Sequence, residues 1–378
     1  MSSAPKKVLA IGGTGAQGVP VVKGKPIPNV TALPENPNIR LAELARDGAY
    51  QVQVLTRNPE SESAKSLVSS SANITLIQGD PFNANDLRSA LTSVDAVFVN
   101  TNGFAIGEKA EIYWGIRTYE IAAGSGVKHF VYATLDYASK LGGFDPKFHT
   151  GHLDGKGIVA EYVRAQPTER MGWTLFHSAP YLETLSEMLK PKIEKNADSN
   201  ETFVFEAPLG DAAMPLIALD DLGKYGRWVF DNFGDGKGRS NGLTLGIGTQ
   251  HITWTELASV FSQVTGKKAR YRPLTLSEYF ASGVFPDPER KVGHSIDNAD
   301  HTLQTYRENF SGFWTWWASG LAERDYALLD EIFPERMKTV KEWMERTGYT
   351  GERKSVLKDY SDIAKKMAEA KKKAAAAE

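Results

Sequence analysis

The sequence predicts an α/β protein built on a doubly wound parallel sheet. Through the first half of the chain, short apolar runs typical of strands alternate with helical patterns. The first run, Val8–Ile11, is apolar throughout, as expected for a strand that is buried on both faces. It leads into a glycine-rich segment in which Gly12, Gly15 and Gly18 stand three residues apart. This order of strand, glycine loop and helix is typical of the start of a nucleotide-binding sheet.

The glycine-rich loop is the first candidate binding site. Glycines between a strand and a helix let backbone N–H groups approach a phosphate, and the helix N-terminus adds a partial positive charge. The usual dinucleotide fingerprint is G-x-G-x-x-G, whereas this chain has G-x-x-G-x-x-G. We interpret it as a dinucleotide-binding loop; a tight turn without a ligand is the alternative. The loop residues expected to contact the cofactor are Gly12, Thr14, Gly15, Ala16, Gln17 and Gly18.

Composition argues against several functional classes. At 378 residues the chain is long enough for one large or two smaller domains. Its net charge of −2 gives no electrostatic reason to expect nucleic acid as a partner. The absence of cysteine excludes disulfides, thiolate catalysis and cysteine-ligated metals. Neither a signal peptide nor an apolar run near the ~20 residues that cross a bilayer is apparent. We therefore expect a cytoplasmic protein with no membrane partner, or a nuclear one if its role is regulatory.

A proline-rich segment interrupts the first helix. Lys23–Asn38 contains four prolines, a density that a helix cannot accommodate. Helix-like sequence resumes at Ile39, and Gly48 is expected to end it. We interpret 23–38 as an insertion, either a surface loop or a flap or subunit contact.

The end of the second strand indicates which dinucleotide is bound. Gln51–Thr56 is predicted to be this strand, and Arg57 follows it directly. A carboxylate at this position binds the ribose 2′-hydroxyl of NAD, whereas an arginine can pair with the 2′-phosphate of NADP. The nearest acid is Glu60, beyond the strand end. We therefore favour NADP; a solvated arginine at a strand end is the alternative.

The third and fourth strands, Ile74–Gln78 and Ala96–Val99, also end in polar residues, where parallel sheets bind ligands. Asp80 is placed either to reach the adenine or to cap the helix predicted over Asp86–Leu91. The residues expected to contact the cofactor at these strand ends are Asp80, Pro81, Asn100, Thr101 and Asn102.

The remaining elements continue the alternation into a looser second half. The predicted strands are His129–Thr134, Trp173–Ser178, Phe203–Phe205 and Leu243–Leu245. The predicted helices are Ala110–Ala123, Ile158–Arg164 opened by Lys156, Trp254–Thr265, Phe310–Leu321 and Glu335–Thr347. Asp220 is expected to cap a further helix that follows it. Trp314, Trp316 and Trp317 form a tryptophan cluster that either lines a substrate pocket or packs a core.

Three histidines raise the question of a metal site. His149 and His152 have the spacing His-x-x-His, and His177 lies further along the chain. Because the sequence offers no recognisable third ligand for the first two, we expect no metal.

A series of motifs occurs in order from about residue 6 to residue 350. They are Gly-Gly-Thr-Gly-Ala-Gln-Gly at 12–18, Leu-Thr-Arg at 55–57, Gln-Gly-Asp at 78–80, Lys-His-Phe-Val-Tyr-Ala-Thr-Leu at 128–135, Lys156 with Glu161 and Tyr162, Trp-Thr-Leu-Phe at 173–176, Pro-Tyr-Leu-Glu at 180–183, and a later segment over 246–261. In this order the chain resembles the NmrA-like family of atypical short-chain dehydrogenases/reductases.

The resemblance implies a Rossmann domain, a smaller α+β C-terminal substrate domain and an NADP-filled cleft between them. The Rossmann domain is expected in residues 1–180, the interleaved substrate-binding part in 181–351, and a Lys/Ala-rich tail in 352–378. The resemblance also implies that Pro180, Tyr181 and Leu182 bind the cofactor over its nicotinamide.

Related short-chain reductases use a Tyr-x-x-x-Lys pair, in which the tyrosine protonates the substrate and the lysine holds the ribose. The resemblance assigns the lysine to Lys156, but His152 stands at the position of the tyrosine. An imidazole, with an unperturbed pKa near ~6.5, can donate a proton or bind substrate. Thr134 matches the position of a hydroxyl near the substrate and is also expected to contact the cofactor; the alternative is a threonine that ends a strand because of its β-propensity. Tyr137 and Tyr181 can line the pocket or supply the proton, or each can be a packed aromatic with a satisfied hydroxyl.

The favoured function is NADP-dependent reduction of a bulky aromatic, quinone or enone-like small molecule. The missing tyrosine keeps open a second interpretation, a redox-sensing regulator that binds NADP without turnover and meets a protein partner. A third is a non-redox lyase or isomerase that keeps the cofactor as a scaffold.

Overall fold

A computed structural model describes residues 6–14, 44–195, 197, 199–293 and 300–353. Loop residues Gly15–Gly18, the insertion 23–38 and the tail beyond residue 353 lie outside the described residues. Of the helix predicted to resume at Ile39, the described residues 44–48 form turns and bends, and Gly48 has a φ of 76°.

Seven of the described strands form one parallel sheet. The strands are β1 (Lys6–Ile11), β2 (Tyr50–Thr56), β3 (Ile74–Gln78), β4 (Ala96–Val99), β5 (His129–Thr134), β6 (Gly172–His177), β7 (Lys192–Lys195), β8 (Glu201–Ala207), β9 (Ala213–Leu216), β10 (Leu243–Gly246), β11 (Gln250–Thr253) and β12 (Ala269–Pro273). The order of the large sheet is β10-β6-β5-β4-β1-β2-β3, and every neighbouring pair is parallel. This topology confirms the predicted doubly wound sheet, whose strand order reverses between β1 and β4.

Helices connect and cover these strands. They are α1 (Glu62–Ser70), α2 (Ala84–Ala90), α3 (Gly103–Gly124), α4 (Ala138–Leu141), α5 (Gly151–Arg164), α6 (Leu219–Asp231), α7 (Trp254–Thr265), α8 (Leu276–Ala281), α9 (Tyr306–Ala318), α10 (Tyr326–Ile332) and α11 (Val340–Thr347). No helix in the described part of the chain is both long and apolar enough to span a membrane.

The two faces of the sheet carry separate apolar cores. Along β1, Val8 and Ala10 pack on the same side as α6, whereas Leu9 and Ile11 pack with residues of α3 and α5. Successive side chains of a strand point to opposite faces, so an uninterrupted apolar run serves both cores.

The C-terminal part forms a third core and two small sheets. β8 pairs parallel with β12 and antiparallel with β7, while β9 pairs antiparallel with β11. Trp314, Trp316 and Trp317 are at most 1% exposed and belong to this core. The structure therefore supports the core-packing interpretation of this tryptophan cluster over the pocket interpretation.

Helices α3 and α5 begin well before the residues that the sequence predicts. The helix predicted from Ala110 begins at Gly103, and the one predicted from Lys156 begins at Gly151. Both starts are rich in glycine, which weakens the helical signal. The glycines permit close packing of α3 on α5, since a Cβ on Gly115 would lie 2.6 Å from Val159 Cγ2.

Other predicted boundaries and caps are also corrected. The helix predicted over 310–321 spans Tyr306–Ala318, and the one predicted from Glu335 begins at Val340. Asp220 lies inside the first turn of α6, so it is not the cap. The Glu183 carboxylate accepts the Leu219 N–H instead, at 3.1 and 3.2 Å.

Candidate active site

The carboxyl ends of four central strands meet at one edge of the sheet. Ile11 pairs with Val99, Val99 with Tyr132, and Thr134 with His177. The residues that follow β1, β4, β5 and β6 are therefore neighbours, at the place where open parallel sheets bind ligands.

Gly12 brings the first loop unusually close to the end of β4. Its φ is +80°, and a Cβ added here would lie 2.0 Å from the backbone oxygen of Asn100. Only glycine permits this approach, because any side chain would meet a backbone atom that cannot rotate away. The turn therefore has the close backbone packing that a dinucleotide cradle requires.

Arg57 lies exposed just beyond β2. It makes no salt bridge with any described residue. The nearby Glu60 carboxylate pairs instead with Lys65 at 3.1 Å. This donor therefore suits the phosphate predicted for it.

Asp80 does not cap the helix that follows it. Its carboxylate accepts the Phe82 N–H at 3.0 Å and so closes a local turn. The cap of α2 is Asn83, whose side chain accepts from the first helical turn. The capping interpretation is wrong, and an adenine contact stays a prediction. Pro81, beside it, is half-buried.

Lys156 lies at the sheet edge in a buried ion pair. Its Nζ donates to Glu111 Oε1 at 2.9 Å and to Thr101 Oγ1 at 3.0 Å. Tyr132 also donates to Glu111 Oε1, at 2.8 Å. Thr101 is half-buried at the end of β4 and donates to the same carboxylate oxygen. The predicted lysine is thus held beside the predicted Asn100–Asn102 segment.

Sequence reasoning did not identify Glu111. Its position four residues before Gly115 and seven before Thr118 places it on a helix face that is buried throughout. A carboxylate on the buried face of a predicted helix is a signal that could have singled it out.

Thr134 and Tyr137 follow the end of β5. The Thr134 hydroxyl donates to the backbone oxygen of Lys156 at 3.1 Å, so it anchors the helix that carries the lysine. Tyr137 is half-buried, and its burial, with the nearby Asp154 carboxylate, raises the pKa of its phenol. Tyr137 therefore holds its proton at neutral pH.

His152 is buried against aromatic rings and an amide. Its ring stacks on Phe104, with centroids 4.4 Å apart, and Nδ1 lies 2.8 Å from Asn309 Nδ2. Burial lowers the pKa of His152 to about 4. The imidazole is therefore neutral at neutral pH, and its Nδ1 lies within hydrogen-bonding distance of both Nδ2 and Oδ1 of the Asn309 amide, at 2.8 and 3.1 Å.

His152 belongs to a group of four near-parallel rings. We call this group the aromatic cluster; its members are Phe104, His152, Tyr306 and Phe310. Phe104 and Tyr306 are stacked at an interplanar angle of 3°, and Phe104 and Phe310 at 12°. His152 and Phe310 are buried, whereas Phe104 and Tyr306 are half-buried, and the Phe104 N–H donates to the Asn102 side chain.

A second buried ion pair lies beyond β5 and β6. Arg324 donates to both carboxylate oxygens of Asp136, at 3.2 and 3.0 Å, and to the Ser178 and Ile247 backbone oxygens. Burial works to raise the pKa of Asp136, but His177 and Arg324 together hold it well below its usual range.

The three histidines considered for metal binding have other partners. His149 pairs with Glu108 at 2.9 Å and His177 with Asp136 at 3.3 Å. Within the described ranges, no cluster of three or more His, Cys, Asp or Glu residues is arranged to hold a metal ion.

The segment after β6 approaches the same edge. Tyr181 forms a β-bridge with Ile217, and Leu182 is wholly buried. Burial raises the pKa of Tyr181, so its phenol is also protonated at neutral pH. Pro180 accepts the Ile217 N–H through its backbone oxygen at 3.0 Å. A cofactor role for these three residues stays a prediction.

Comparison with known proteins identifies the family of this chain. The sequence model of the NmrA-like family matches residues 38–344. An NmrA-like family domain-containing oxidoreductase of Aspergillus hancockii is 30% identical over 256 residues, which are 65% of this chain and 74% of the relative.

Solved structures with the same fold include a regulator and an enzyme. NmrA, a negative transcriptional regulator in complex with NADP, matches with a TM-score of 0.63 at 16% identity, covering 92% of this chain and 98% of that one. An NADPH-dependent quinone oxidoreductase of Escherichia coli, complexed with NADPH, matches with a TM-score of 0.61 at 17% identity, covering 90% and 100%.

Proposed function

This chain belongs to the NmrA-like family, and from that premise we propose that it is an NADP-dependent reductase of a bulky aromatic, quinone or enone-like small molecule. A relative named as an oxidoreductase and a structural neighbour described as an NADPH-dependent quinone oxidoreductase support this proposal.

The described residues fit a dinucleotide at the sheet edge. The backbone around Gly12 and Thr14 would hold the diphosphate, and Arg57 the additional phosphate. Asn100, Thr101 and Lys156 would hold the ribose next to the nicotinamide. NADPH, when bound, supplies a hydride. The fit depends on the close approach of Gly12 to Asn100 and on a guanidinium that no described carboxylate neutralises.

The observation that carries the proposal is the position of Lys156. A buried ammonium stands beside Thr101, next to the Asn100 backbone on which Gly12 packs. Lysine at this point can hold a hydroxyl by hydrogen bonding and stabilise negative charge that develops on a substrate oxygen.

Proton supply is assigned to Tyr137 rather than to His152. With a pKa of about 4, His152 has no imidazolium proton to give at neutral pH. Tyr137 is half-buried just beyond β5, and its phenol carries a proton at neutral pH, although burial raises its pKa and makes that proton harder to release. His152 is assigned to substrate contact, through a ring held in place by Asn309.

The aromatic cluster supports a flat, apolar substrate. Phe104, at the start of α3 and immediately after the predicted cofactor contacts, stacks on His152, at the start of α5. Stacking of this kind favours planar rings, and an apolar pocket with few polar groups is typical of small-molecule sites. Quinones, enones and aryl ketones meet that description.

A redox sensor without turnover is the second candidate. Two observations favour it: His152 is neutral, and the Thr134 hydroxyl already bonds to the Lys156 backbone. Tight NADP binding with no substrate consumed, and a protein partner captured in only one nucleotide state, would support the sensor over the reductase.

NADPH consumption with a panel of quinones, enones and aryl ketones tests the proposal. We expect turnover of at least one class, and Lys156→Met is expected to lower kcat/KM about 100-fold, as loss of a charged transition-state contact does. Lys224→Met is the control, because Lys224 also pairs with a buried carboxylate, Asp221 at 3.3 Å, in α6. Full turnover by the Lys156→Met protein would contradict the assigned role.

Arg57→Ala tests the choice of cofactor. We expect affinity for NADPH to fall about tenfold, through loss of one charge-assisted phosphate contact, while affinity for NADH is unchanged. Calorimetric titration with both nucleotides measures this. Arg239→Ala removes an exposed arginine before the amino end of β10 and serves as the control. A parent protein that prefers NADH would show that the guanidinium has another role.

A further inference from the structure

We infer that Glu111 is a positioning residue for Lys156, holding its ammonium ready for a bound NADP; the inference rests on the proposed function. Glu111 lies in α3 and is wholly buried. It is placed to act through the lysine, because it is the lysine's counter-ion and its own side chain is 0% exposed.

One oxygen of the Glu111 carboxylate gathers three donors. Oε1 accepts from Lys156 Nζ at 2.9 Å, from Tyr132 OH at 2.8 Å and from the Thr101 hydroxyl. These donors come from α5, β5 and the segment after β4. A single carboxylate oxygen therefore sets the relative position of the groups at the predicted ribose contact.

The lysine depends on this partner more than an exposed lysine would. Its side chain is 7% exposed, and Nζ lies 5.5 Å from the centre of the Tyr132 ring. An ammonium has three N–H donors, of which Glu111 and Thr101 take two, so one remains for a ligand. Without Glu111 the buried charge would lack a counter-ion and its flexible stem would lose an anchor.

Stability alone does not explain a carboxylate at this position. Glu111 Oε2 is buried and has no hydrogen-bond partner among the described residues. An unsatisfied buried acceptor destabilises the fold. A local loss of stability of this kind is typical of functional sites.

A double-mutant cycle on cofactor affinity tests the inference. NADPH is titrated by calorimetry into the parent protein, Glu111→Gln, Lys156→Met and the double variant. Glu111→Gln is expected to weaken NADPH binding about tenfold when Lys156 is present, and by less than about twofold in the Lys156→Met background. A purely structural residue would weaken binding equally in both backgrounds.

Asp221→Asn is the control, because Asp221 is also a buried carboxylate paired with a lysine and is expected to leave NADPH affinity unchanged. Glu111→Asp keeps the charge but shortens the reach, and the same dependence on background is expected for it, so the test does not rely on one variant folding. Equal losses in both backgrounds, or no loss in Glu111→Gln, would overturn the inference alone. A parent protein that binds no NADPH would overturn the proposed function and the inference together.

Discussion

Arg324→Leu is expected to lower the free energy of unfolding by about 3–5 kcal/mol, the usual effect of removing one partner of a buried ion pair. The Arg324 side chain is 0% exposed and that of Asp136 3% exposed. The substitution leaves His177 as the one ion-pair partner of the buried Asp136 carboxylate among the described residues, and it removes donors from the Ser178 and Ile247 backbone oxygens. Urea unfolding of parent and variant at neutral pH measures the difference.

The position of Arg324 between α9 and α10 explains why the effect should be large. One guanidinium joins this connection to the segments after β5, β6 and β10. Arg239→Leu is the control, since its salt bridge to Glu331 is exposed and should be worth less than about 1 kcal/mol. The double variant Asp136→Leu/Arg324→Leu is expected to recover part of the loss, because no unpaired charge remains. A loss under about 1 kcal/mol for Arg324→Leu would contradict the assignment.

Local sequence predicts the central sheet well because its strands are short apolar runs between polar turns. β3, β4 and β5 occupy the residues that the pattern predicts. β10 shows the limit of this reasoning. Its residues predict a short strand, but pairing with β6, some 70 residues earlier in the chain, depends on long-range packing. The helix starts at Gly103 and Gly151 could not be predicted for a related reason. Glycine lowers the helix propensity of these residues, but tertiary contacts in the folded protein override that propensity.

In the candidate site, too, some residues can be predicted from local sequence and others cannot. Lys156 and Arg57 stand inside local motifs, so their positions can be predicted from the sequence. Their neighbours cannot, because Glu111 is 45 residues from Lys156, and Arg324 is 188 residues from Asp136. An ion pair between elements that are distant in sequence produces no local sequence pattern from which it could be predicted. His152 is a mixed case: its spacing predicts a site residue, but its low pKa follows from burial among rings contributed by other elements.

Gly12→Ala is expected to weaken NADPH binding at least about 100-fold, because the binding loop cannot keep its position with a Cβ present. The added atom would lie 2.0 Å from the Asn100 backbone oxygen and 3.1 Å from its carbonyl carbon. Neither atom belongs to a side chain that could rotate away, so the loop or the end of β4 must move. Both flank the proposed diphosphate and ribose contacts. NADPH titration by calorimetry, beside a urea unfolding curve, measures the two consequences.

Gly126→Ala separates the steric contact from backbone strain. Gly126 has a φ of 82°, close to the 80° of Gly12, but a Cβ there would meet nothing within 4 Å. An alanine with positive φ costs roughly 1–2 kcal/mol at either position, so both variants should lose similar stability from strain alone. Only Gly12→Ala should also lose NADPH affinity, since only its Cβ displaces the segment after β4. Equal NADPH affinity in the two variants would show that the close approach of Gly12 to Asn100 does not form the binding site.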